Sequence, residues 1–331
     1  NISGWDVSNV TDMGSLMYGL SYQCISAFNE DIDGWNVGQV TDMQSMFESA
    51  RAFNRNLEAW NVGQVTNMQS MFAWANAFNQ PLEAWNVGQV TSFERMFDAA
   101  KAYNQSLNAW DVSQATSLSG MFQDAQSFNS EVNAWDVRKV EDLSWIFRGS
   151  AFNRPLDWDT SKVTSLGATF QHNKAFNQQL VWDTSSVASM EKVFYNAKAF
   201  NQELVWDTSK VTTMWDTFAD ADAFNSELAW DTSKVTNMYW AFRRADGFNS
   251  ELDWDTSKVT NMEQTFRTTN SFNQALAWDT SSVTNMYGTF WSAEAFNRPL
   301  DWDTSKVTDM RLTFREAEAF NQLLAWATSA V

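Results

Sequence analysis

A tryptophan that returns at a nearly constant interval is the feature that most constrains the fold of this chain. A fixed period of about 20–50 residues marks repeat architectures, in which each unit buries its apolar face against the next. The pattern therefore predicts one elongated array of stacked coils. The recurring residues are Trp5, Trp35, Trp60, Trp85, Trp110, Trp135, Trp158, Trp182, Trp206, Trp230, Trp254, Trp278, Trp302 and Trp326.

The interval between tryptophans takes two main values. It is 25 residues between Trp35 and Trp135 and mainly 24 residues from Trp158 onward, with one step of 23 where the two blocks meet. The longer coils carry one more residue, as the comparison of 57–60 (Leu-Glu-Ala-Trp) with 156–158 (Leu-Asp-Trp) shows. An additional residue in a coil can be absorbed as a bulge or as a bend.

The repeat also predicts the domain organisation. No linker or low-complexity segment interrupts it, so we expect a single solenoid over 1–331, with coils of mainly 25 residues in 1–135 and mainly 24 residues in 136–331. A change of twist or curvature is expected where the two blocks meet. The chain starts without a methionine and stops inside a repeat, and we expect it to be a piece of a longer protein.

Each coil contains a pattern that is typical of a helix. Val235, Met238, Phe242 and Ala245 follow one another at the spacing of one helical stripe. Thr236 stands where an N-cap hydroxyl would accept from the free amides of the first turn, and threonine recurs at this position along the chain. The pattern predicts a short helix in every coil, capped by this threonine.

A second element is predicted ahead of the helix. Residues 228–230 (Leu-Ala-Trp) alternate an inward apolar side chain with a variable outward one, as a very short strand does. Equivalent segments of neighbouring coils would pair in parallel. The predicted fold is therefore an α/β repeat solenoid, with coils of 24–25 residues that each hold a short parallel β-strand and a short helix.

Two polar positions recur with a structural role. Asp231 precedes Thr-Ser-Lys, which predicts an Asx-turn in which the side chain accepts backbone amides, and Asn36, Asn61 and Asn86 hold the same position in the first half. The asparagine that follows phenylalanine, as at Asn29, predicts a buried ladder of amides between coils. Both positions are therefore interpreted as structural rather than catalytic.

The string 272–286 (Phe-Asn-Gln-Ala-Leu-Ala-Trp-Asp-Thr-Ser-Ser-Val-Thr-Asn-Met), followed by Phe290, carries a family resemblance. It resembles the repeat of the BspA-like leucine-rich-repeat surface proteins of bacteria, and the match covers essentially the whole chain. The resemblance implies a leucine-rich-repeat-like solenoid, displayed outside a cell, with adhesion or interaction roles. The chain departs from the usual pattern at 115–118 and 140–143, where hydrophobicity is kept.

Charge narrows the class of partner. Twenty-two basic and forty acidic residues give a formal charge of −18, and no basic patch is evident in the sequence. Nucleic acids and anionic membranes are therefore poor partners, whereas basic partners and cations fit. No apolar run is long enough for a membrane helix, so no membrane insertion is expected in this segment.

No catalytic constellation interrupts the repeat. His172 is the sole histidine and Cys24 the sole cysteine, and the sequence holds no metal-binding Cys/His spacing, phosphate-binding glycine loop or nucleophile elbow. We predict that the chain is not an enzyme and has no resident cofactor. A calcium site is the one cofactor-like feature that the sequence suggests, because a row of aspartates should stack at one coil spacing. The row consists of Asp159, Asp183, Asp207, Asp231, Asp255, Asp279 and Asp303. Turn capping is the competing interpretation of this row.

Aromatic residues outside the repeating framework are the candidates for partner binding. Exposed aromatic clusters commonly form contact surfaces, although packing between neighbouring helices would also account for them. The candidates are Trp215, Tyr239, Trp240, Tyr287, Trp291 and Tyr195. A second candidate surface is the stripe between Leu and Trp, which contains Val181 and Val205. Asn9 is the candidate glycosylation site, because the asparagine of the other internal sequon, Asn104, belongs to the ladder.

These observations favour an extracellular or cell-surface protein with a structural or adhesive role that binds a protein or a carbohydrate. Two alternatives remain open. The chain could be a self-assembling filament or sheath subunit whose partner is another copy of itself, or an accessory subunit of a larger complex.

Overall fold

The computed structural model describes residues 2–17 and 22–326, which form two compact units, Asn1–Val163 and Thr164–Val331. Stacked coils of the same design build each unit. Within the described ranges, the one α-helix is α1 (Tyr22–Ser26), no β-strand forms, and parallel pairing is limited to isolated bridges. No helix in these ranges is long and apolar enough to cross a membrane. The single solenoid over the whole chain stays a prediction.

The segment predicted to be helical is a series of tight turns. We call it the turn ribbon: eight residues that begin at an inward-facing Met, Phe or Leu, which is buried in every ribbon except the last and half-buried there. In the first unit the ribbons are 43–50, 68–75, 93–100, 118–125 and 143–150. In the second unit they are 166–173, 190–197, 214–221, 238–245, 262–269, 286–293 and 310–317.

Backbone amides in a ribbon alternate between two kinds of partner. In the ribbon 238–245, the amides of the first, third, fifth and seventh residues donate to carbonyls of the next coil at 2.8–3.1 Å. The amides of the fourth, sixth and eighth residues donate to the carbonyl three residues earlier at 3.0–3.1 Å. Because buried amides need partners, this alternation satisfies the ribbon without a helix or a continuous strand.

Left-handed backbone at two fixed places produces the alternation. The third and seventh residues of every ribbon have φ between 51° and 65°. An α-helix needs negative φ throughout, so the helix prediction for this segment is wrong. The apolar residues Val235, Met238, Phe242 and Ala245 are nevertheless buried, as their spacing indicated. A ribbon that turns every four residues buries nearly the same positions as a helical stripe.

The predicted threonine N-cap is also wrong. The backbone amide and Oγ1 of Thr236 both donate to the carbonyl of Thr212 in the preceding coil, at 2.9 and 3.2 Å. Thr260 makes the same pair of bonds to Thr236, at 2.9 and 3.2 Å. The recurring threonine therefore joins coils to one another, and its hydroxyl donates rather than accepts.

Strand-like pairing occurs after this threonine and not at 228–230, where the strand was predicted. Asn237 forms a parallel bridge with Asn261, and equivalent bridges link neighbouring coils in both units. In the longer coils of the first unit, the amide of Trp60 donates to the carbonyl of Leu57 at 3.0 Å. The additional residue of these coils is thus absorbed in a closed turn.

Aromatic columns fill the core. Neighbouring ladder tryptophans stack with ring centroids 6.1–6.5 Å apart. Each buried indole also donates to the preceding coil: Trp230 Nε1 lies 3.1 Å from the carbonyl oxygen of Leu204. Phe218 stacks on Phe224 at 4.1 Å within its coil and on Phe242 at 5.6 Å in the next. Burial of these rings supplies most of the favourable free energy, while the indole bond fixes coil register.

The two polar ladders form largely as predicted. Asp231 Oδ1 accepts from the amide of Ser233 at 3.0 Å, and Asn61 Oδ1 accepts from the amide of Gly63 at 3.2 Å, which confirms the Asx-turns. Asn225 Oδ1 accepts from the amide of Asn249 at 2.7 Å, which confirms the asparagine ladder. However, Asn225 is exposed, so the prediction of a buried ladder is wrong.

One buried position distinguishes the coils of the two units. In the second unit Thr232 is buried, and its Oγ1 donates to the carbonyl of Asp255 in the next coil at 2.9 Å. The corresponding residue of the 25-residue coils, all in the first unit, is a buried valine, for example Val87, and the threonine begins at Thr160 at the end of that unit. The same slot is therefore filled by a coil-to-coil hydrogen bond in some coils and by apolar packing in others.

This difference predicts opposite preferences for two nearly isosteric side chains. Thr232→Val leaves the Asp255 carbonyl without its hydroxyl partner, and we expect the free energy of unfolding to fall by about 1–2 kcal/mol. Val87→Thr places a hydroxyl in an apolar slot and should cost a similar amount, about 1–2 kcal/mol. Urea unfolding followed by tryptophan fluorescence measures both. A neutral result for either variant would contradict the proposed roles of this slot.

The left-handed positions predict a stabilising substitution. Thr268 is a β-branched residue at φ 56°, a conformation that strains such side chains, whereas asparagine tolerates it and occurs at the equivalent Asn196. We expect Thr268→Asn to raise the free energy of unfolding by about 1 kcal/mol. The reciprocal control is Ser49→Thr at φ 65°, which should lower it. Thermal or urea unfolding tests both, and a Thr268→Asn protein no more stable than the parent would refute the strain.

Candidate interaction surface

The outward side of the turn ribbons in the second unit carries all six predicted aromatic candidates. The first, fourth, fifth and eighth residues of a ribbon point into the core, and the second, third, sixth and seventh form the outer side. All six candidates are partly exposed. They occupy the second position (Trp215, Tyr239, Tyr287), the third position (Trp240) and the sixth position (Tyr195, Trp291).

The structure brings three of these rings into one cluster. Trp215 contacts Tyr239 edge-on with centroids 5.9 Å apart, and Tyr239 stacks on Trp240 at 4.7 Å. Tyr195 lies instead beside His172, at 5.0 Å. Tyr287 and Trp291 each lie against arginine. The aromatic cluster 215/239/240 is thus one patch, and the other three candidates extend the same side of the coils.

Cations cover the faces of most of these rings. Lys192 Nζ lies 4.2 Å from the centroid of Trp215, and the guanidinium carbon of Arg243 lies 4.3 Å from that of Trp240. Trp291 is approached by Arg267 at 3.8 Å and by Arg315 at 5.0 Å. Cation–π contacts of this kind are worth about 0.5–2 kcal/mol each. We call this surface, residues 192–316 on the outer side of the ribbons, the aromatic–arginine face.

The concentration of arginine corrects one expectation from the sequence. No basic patch was evident because the residues are distant in the chain, yet the ribbons bring them together. Arg243, Arg267 and Arg315 occupy the sixth position of their ribbons, at separations of 24 and 48 residues. A column-by-column comparison of the repeats would have detected this row. The sequence therefore predicted the aromatic residues of this face but not its arginines.

Several of these arginines form ion pairs at the surface. Asp220 pairs with Arg243 at 3.6 Å and with Arg244 at 3.3 Å. Glu316 pairs with Arg315 at 3.1 Å and also accepts from Trp291 Nε1 at 3.2 Å. The pair between Arg315 and Glu316 is exposed and stabilises little, about 0–1 kcal/mol. Asp220 is buried, so its two pairs hold the side chains of Arg243 and Arg244 against the coil.

Beneath the face lie polar atoms without hydrogen-bond partners. They are Trp215 Nε1, Trp240 Nε1, Asp216 Oδ1 and Arg243 Nε. Burial raises the pKa of Asp216 to about 6, although Lys192 and Arg243 act against the rise. Burial, and then the charge of Glu263, raises the pKa of Tyr239. Unsatisfied buried polar atoms cost free energy and concentrate at this face in the second unit.

The remaining candidates lie apart from the face or at its margin. His172 is the seventh residue of its ribbon at φ 59°, and its Nδ1 lies 2.8 Å from Asn196 Nδ2. Cys24 is exposed. Asn9 is exposed in a turn, as a glycosylation site requires, but Asn104 is exposed too, contrary to expectation.

The aspartate row and the Leu-x-Trp stripe form two further surfaces. The Oδ1 atoms of Asp207 and Asp255 accept from serine amides at 2.9 and 3.0 Å, and these bonds lower the pKa of both carboxyls. Among the described residues, no three His, Cys, Asp or Glu side chains are grouped so that they could hold a metal ion. On the stripe, Val181 and Val205 are 79% and 78% exposed.

Asp216 predicts a pH dependence of stability. Its folded-state pKa of about 6 lies above the ordinary 3.8, so the folded chain binds more protons than the unfolded chain between these values. The contribution of Asp216 to stability therefore falls as pH rises from about 4 to about 6. We expect Asp216→Asn to unfold like the parent near pH 4 and to be more stable at pH 7, by no more than about 2 kcal/mol after solvent screening.

Urea unfolding at both pH values measures this effect. The control is Asp207→Asn, because the pKa of Asp207 is lowered by its bonds to Ser209. Its stabilising contribution is present at pH 7 and is lost as pH falls, so Asp207→Asn should gain no stability at pH 7. Equal behaviour of the two variants would contradict the assignment.

Comparison with known proteins yields one distant structural match and one family. A solved leucine-rich repeat protein from Bacteroides ovatus is 11% identical over 88% of this chain and 82% of its own, with a TM-score of 0.30. Similarity at that level carries no argument about this chain. None of the curated proteins matches.

The family match covers the whole chain in overlapping segments. They are residues 1–106, 75–181, 116–227, 181–277 and 251–331. The overlap agrees with a repeat that runs from one end of the chain to the other. The chain belongs to the family described as "Mycoplasma protein of unknown function, DUF285".

Proposed function

We propose that this chain is an extracellular, surface-displayed repeat protein with a structural or adhesive role, which binds a protein or carbohydrate partner through the aromatic–arginine face. The carrying observation is the concentration of partly exposed Trp, Tyr and Arg side chains on the outer side of consecutive ribbons. These three residue types dominate the energetics of binding surfaces. Two parts of the proposal, display at a cell surface and leucine-rich-repeat-like coils, rest on the resemblance to the BspA-like repeat.

The backbone supports a binding role for this face. Every second amide of a ribbon is bonded to the adjacent coil, as at Trp240 to Glu263 and Gln264 to Tyr287, at 3.1 and 2.8 Å. Side chains of the second and third positions are therefore held on a regular frame before a partner arrives. A preorganised surface loses less conformational entropy on binding, which favours affinity.

Two ribbons, one from each unit, supply a contrast on the same frame. The outer positions of the ribbon 43–50 hold Gln44, Ser45, Glu48 and Ser49, none of which is aromatic or basic. The equivalent positions of 238–245 hold Tyr, Trp and two Arg. Since the two ribbons share one backbone design, the difference in composition is not needed for folding and supports a role in binding for the ribbon 238–245. In the first unit, the ribbon 143–150 also carries an outward Trp and Arg, at Trp145 and Arg148.

Binding to printed protein and glycan arrays tests the proposal. We expect Trp215→Ala and Trp240→Ala each to weaken the interaction found on the arrays by about thirtyfold or more, since hot-spot truncations cost about 2 kcal/mol or more. Trp145→Ala is the matched control, because Trp145 holds the ribbon position of Trp240 in the other unit and is 42% exposed. Equal loss in all three variants, or no array interaction, would contradict the proposal. Protease treatment of intact cells tests surface display.

A second candidate function, a self-assembling filament or sheath subunit, is favoured by a different observation. Val181 and Val205 are nearly fully exposed at the same position of neighbouring coils, where burial against another copy would be favourable. Negative-stain microscopy over a concentration series distinguishes the two functions. Fibres formed by the parent protein but not by the Val181→Asp and Val205→Asp variants would support assembly as the function. Discrete particles at all concentrations would contradict assembly and favour the binding role.

A further inference from the structure

Arg267 stands out within the aromatic–arginine face. Its guanidinium lies 3.8 Å over Trp291, and its Nη1 donates to Gln264 Oε1 at 2.8 Å. The arginines at 243, 244, 311 and 315 pair with carboxylates, whereas Arg267 makes no ion pair within the described part of the chain. The ring that its guanidinium covers and the side chain that accepts its hydrogen bond are both neutral.

Two further guanidiniums belong to the neighbouring coil. The amide of Arg244 donates to the carbonyl of Arg267 at 2.8 Å, which places the two residues side by side. Burial, then the charges of Arg243 and Arg244, lowers the pKa of Arg267. Asp220 is shared between Arg243 and Arg244 and is the one carboxylate within ion-pair distance of these three guanidiniums in the described part of the chain, while Glu316 acts on Arg267 from farther away. Like charges held this close favour the arrival of an anion.

The geometry also indicates which kind of anion fits. Neutral sugars bind by stacking on open aromatic faces, but Arg243 covers a face of Trp240, and Arg267 and Arg315 approach Trp291. The groups left to a ligand are guanidinium edges, whose two parallel N–H donors match a carboxylate. Trp, Tyr and Arg together are the residues enriched at the energetic centres of protein interfaces.

We propose that Arg243, Arg244 and Arg267 form a binding site for an acidic segment of a partner protein. The inference rests on the proposed function, because it names the class of partner for the same face. Carboxylates of the segment pair with Arg267 and compete with Asp220 for its two arginines. The overall charge of −18 does not prevent this, since charges beyond about 8 Å are largely screened at physiological ionic strength.

The probe is fluorescently labelled poly-L-glutamate, titrated with the full chain and followed by anisotropy. We expect saturable binding that weakens as salt is raised, and a loss of about tenfold or more for Arg267→Gln, because a charge-assisted hydrogen bond is removed. The matched control is Arg298→Gln. Arg298 Nε donates to the carbonyl of Asn273 at 2.8 Å, and Gln274 and Gln322 make the equivalent bond elsewhere in the repeat.

Three results would overturn the inference: no binding of poly-L-glutamate, equal affinity of the Arg267→Gln and Arg298→Gln proteins, or preference for heparin over poly-L-glutamate. Thermal unfolding of each variant shows whether the fold is retained. Arg267→Lys keeps the positive charge but loses the two parallel N–H donors of the guanidinium, so it should bind poly-L-glutamate with intermediate affinity. The array experiment distinguishes failure of the acidic-segment inference from failure of the proposed function. Array binding that depends on Trp215 without any binding of poly-L-glutamate would refute the acidic segment alone.

Discussion

The alternation of backbone hydrogen bonds in the turn ribbon is the constraint on which the rest of the structure depends. Odd-numbered ribbon amides reach the next coil and even-numbered ones close turns within their own coil. This scheme satisfies buried amides without regular helices or strands, but it demands a left-handed residue every fourth position. Most of these positions are not glycine, so each ribbon carries strain that the stacked aromatic columns and ladders offset.

The same scheme decides where side chains can act. Ribbon residues alternate in pairs between core and surface, so the inward pairs become columns of Met, Phe and Thr, while the outward pairs vary freely. In the second unit the outward pairs hold Trp215, Trp240, Arg243 and Arg267 on a fixed frame. A repeat fold thereby provides an outer surface whose composition can change from coil to coil without altering the coil itself.

Much of the coil was predictable from residue types whose hydrogen bonding is local or recurrent. The Asx-turn at Asp231 needs only its own next two residues, and the asparagine ladder follows from an amide repeated at one coil spacing. The aromatic candidates were predictable because they break the repeat. The helix was not, since 3.6-residue and four-residue periods bury nearly the same positions over eight residues, and apolar spacing alone cannot separate them.

The sequence by itself determined the repeat, its coil lengths and the buried tryptophan and phenylalanine columns, because each depends on residue type and period. The tertiary structure alone decided that the ribbon is left-handed at its third and seventh residues, that Thr236 bonds backward to Thr212, and that Arg243 and Arg244 lie in the coil next to Arg267. These features depend on contacts between residues about one coil apart. Only stacking of the coils brings those groups within hydrogen-bonding and Coulomb range.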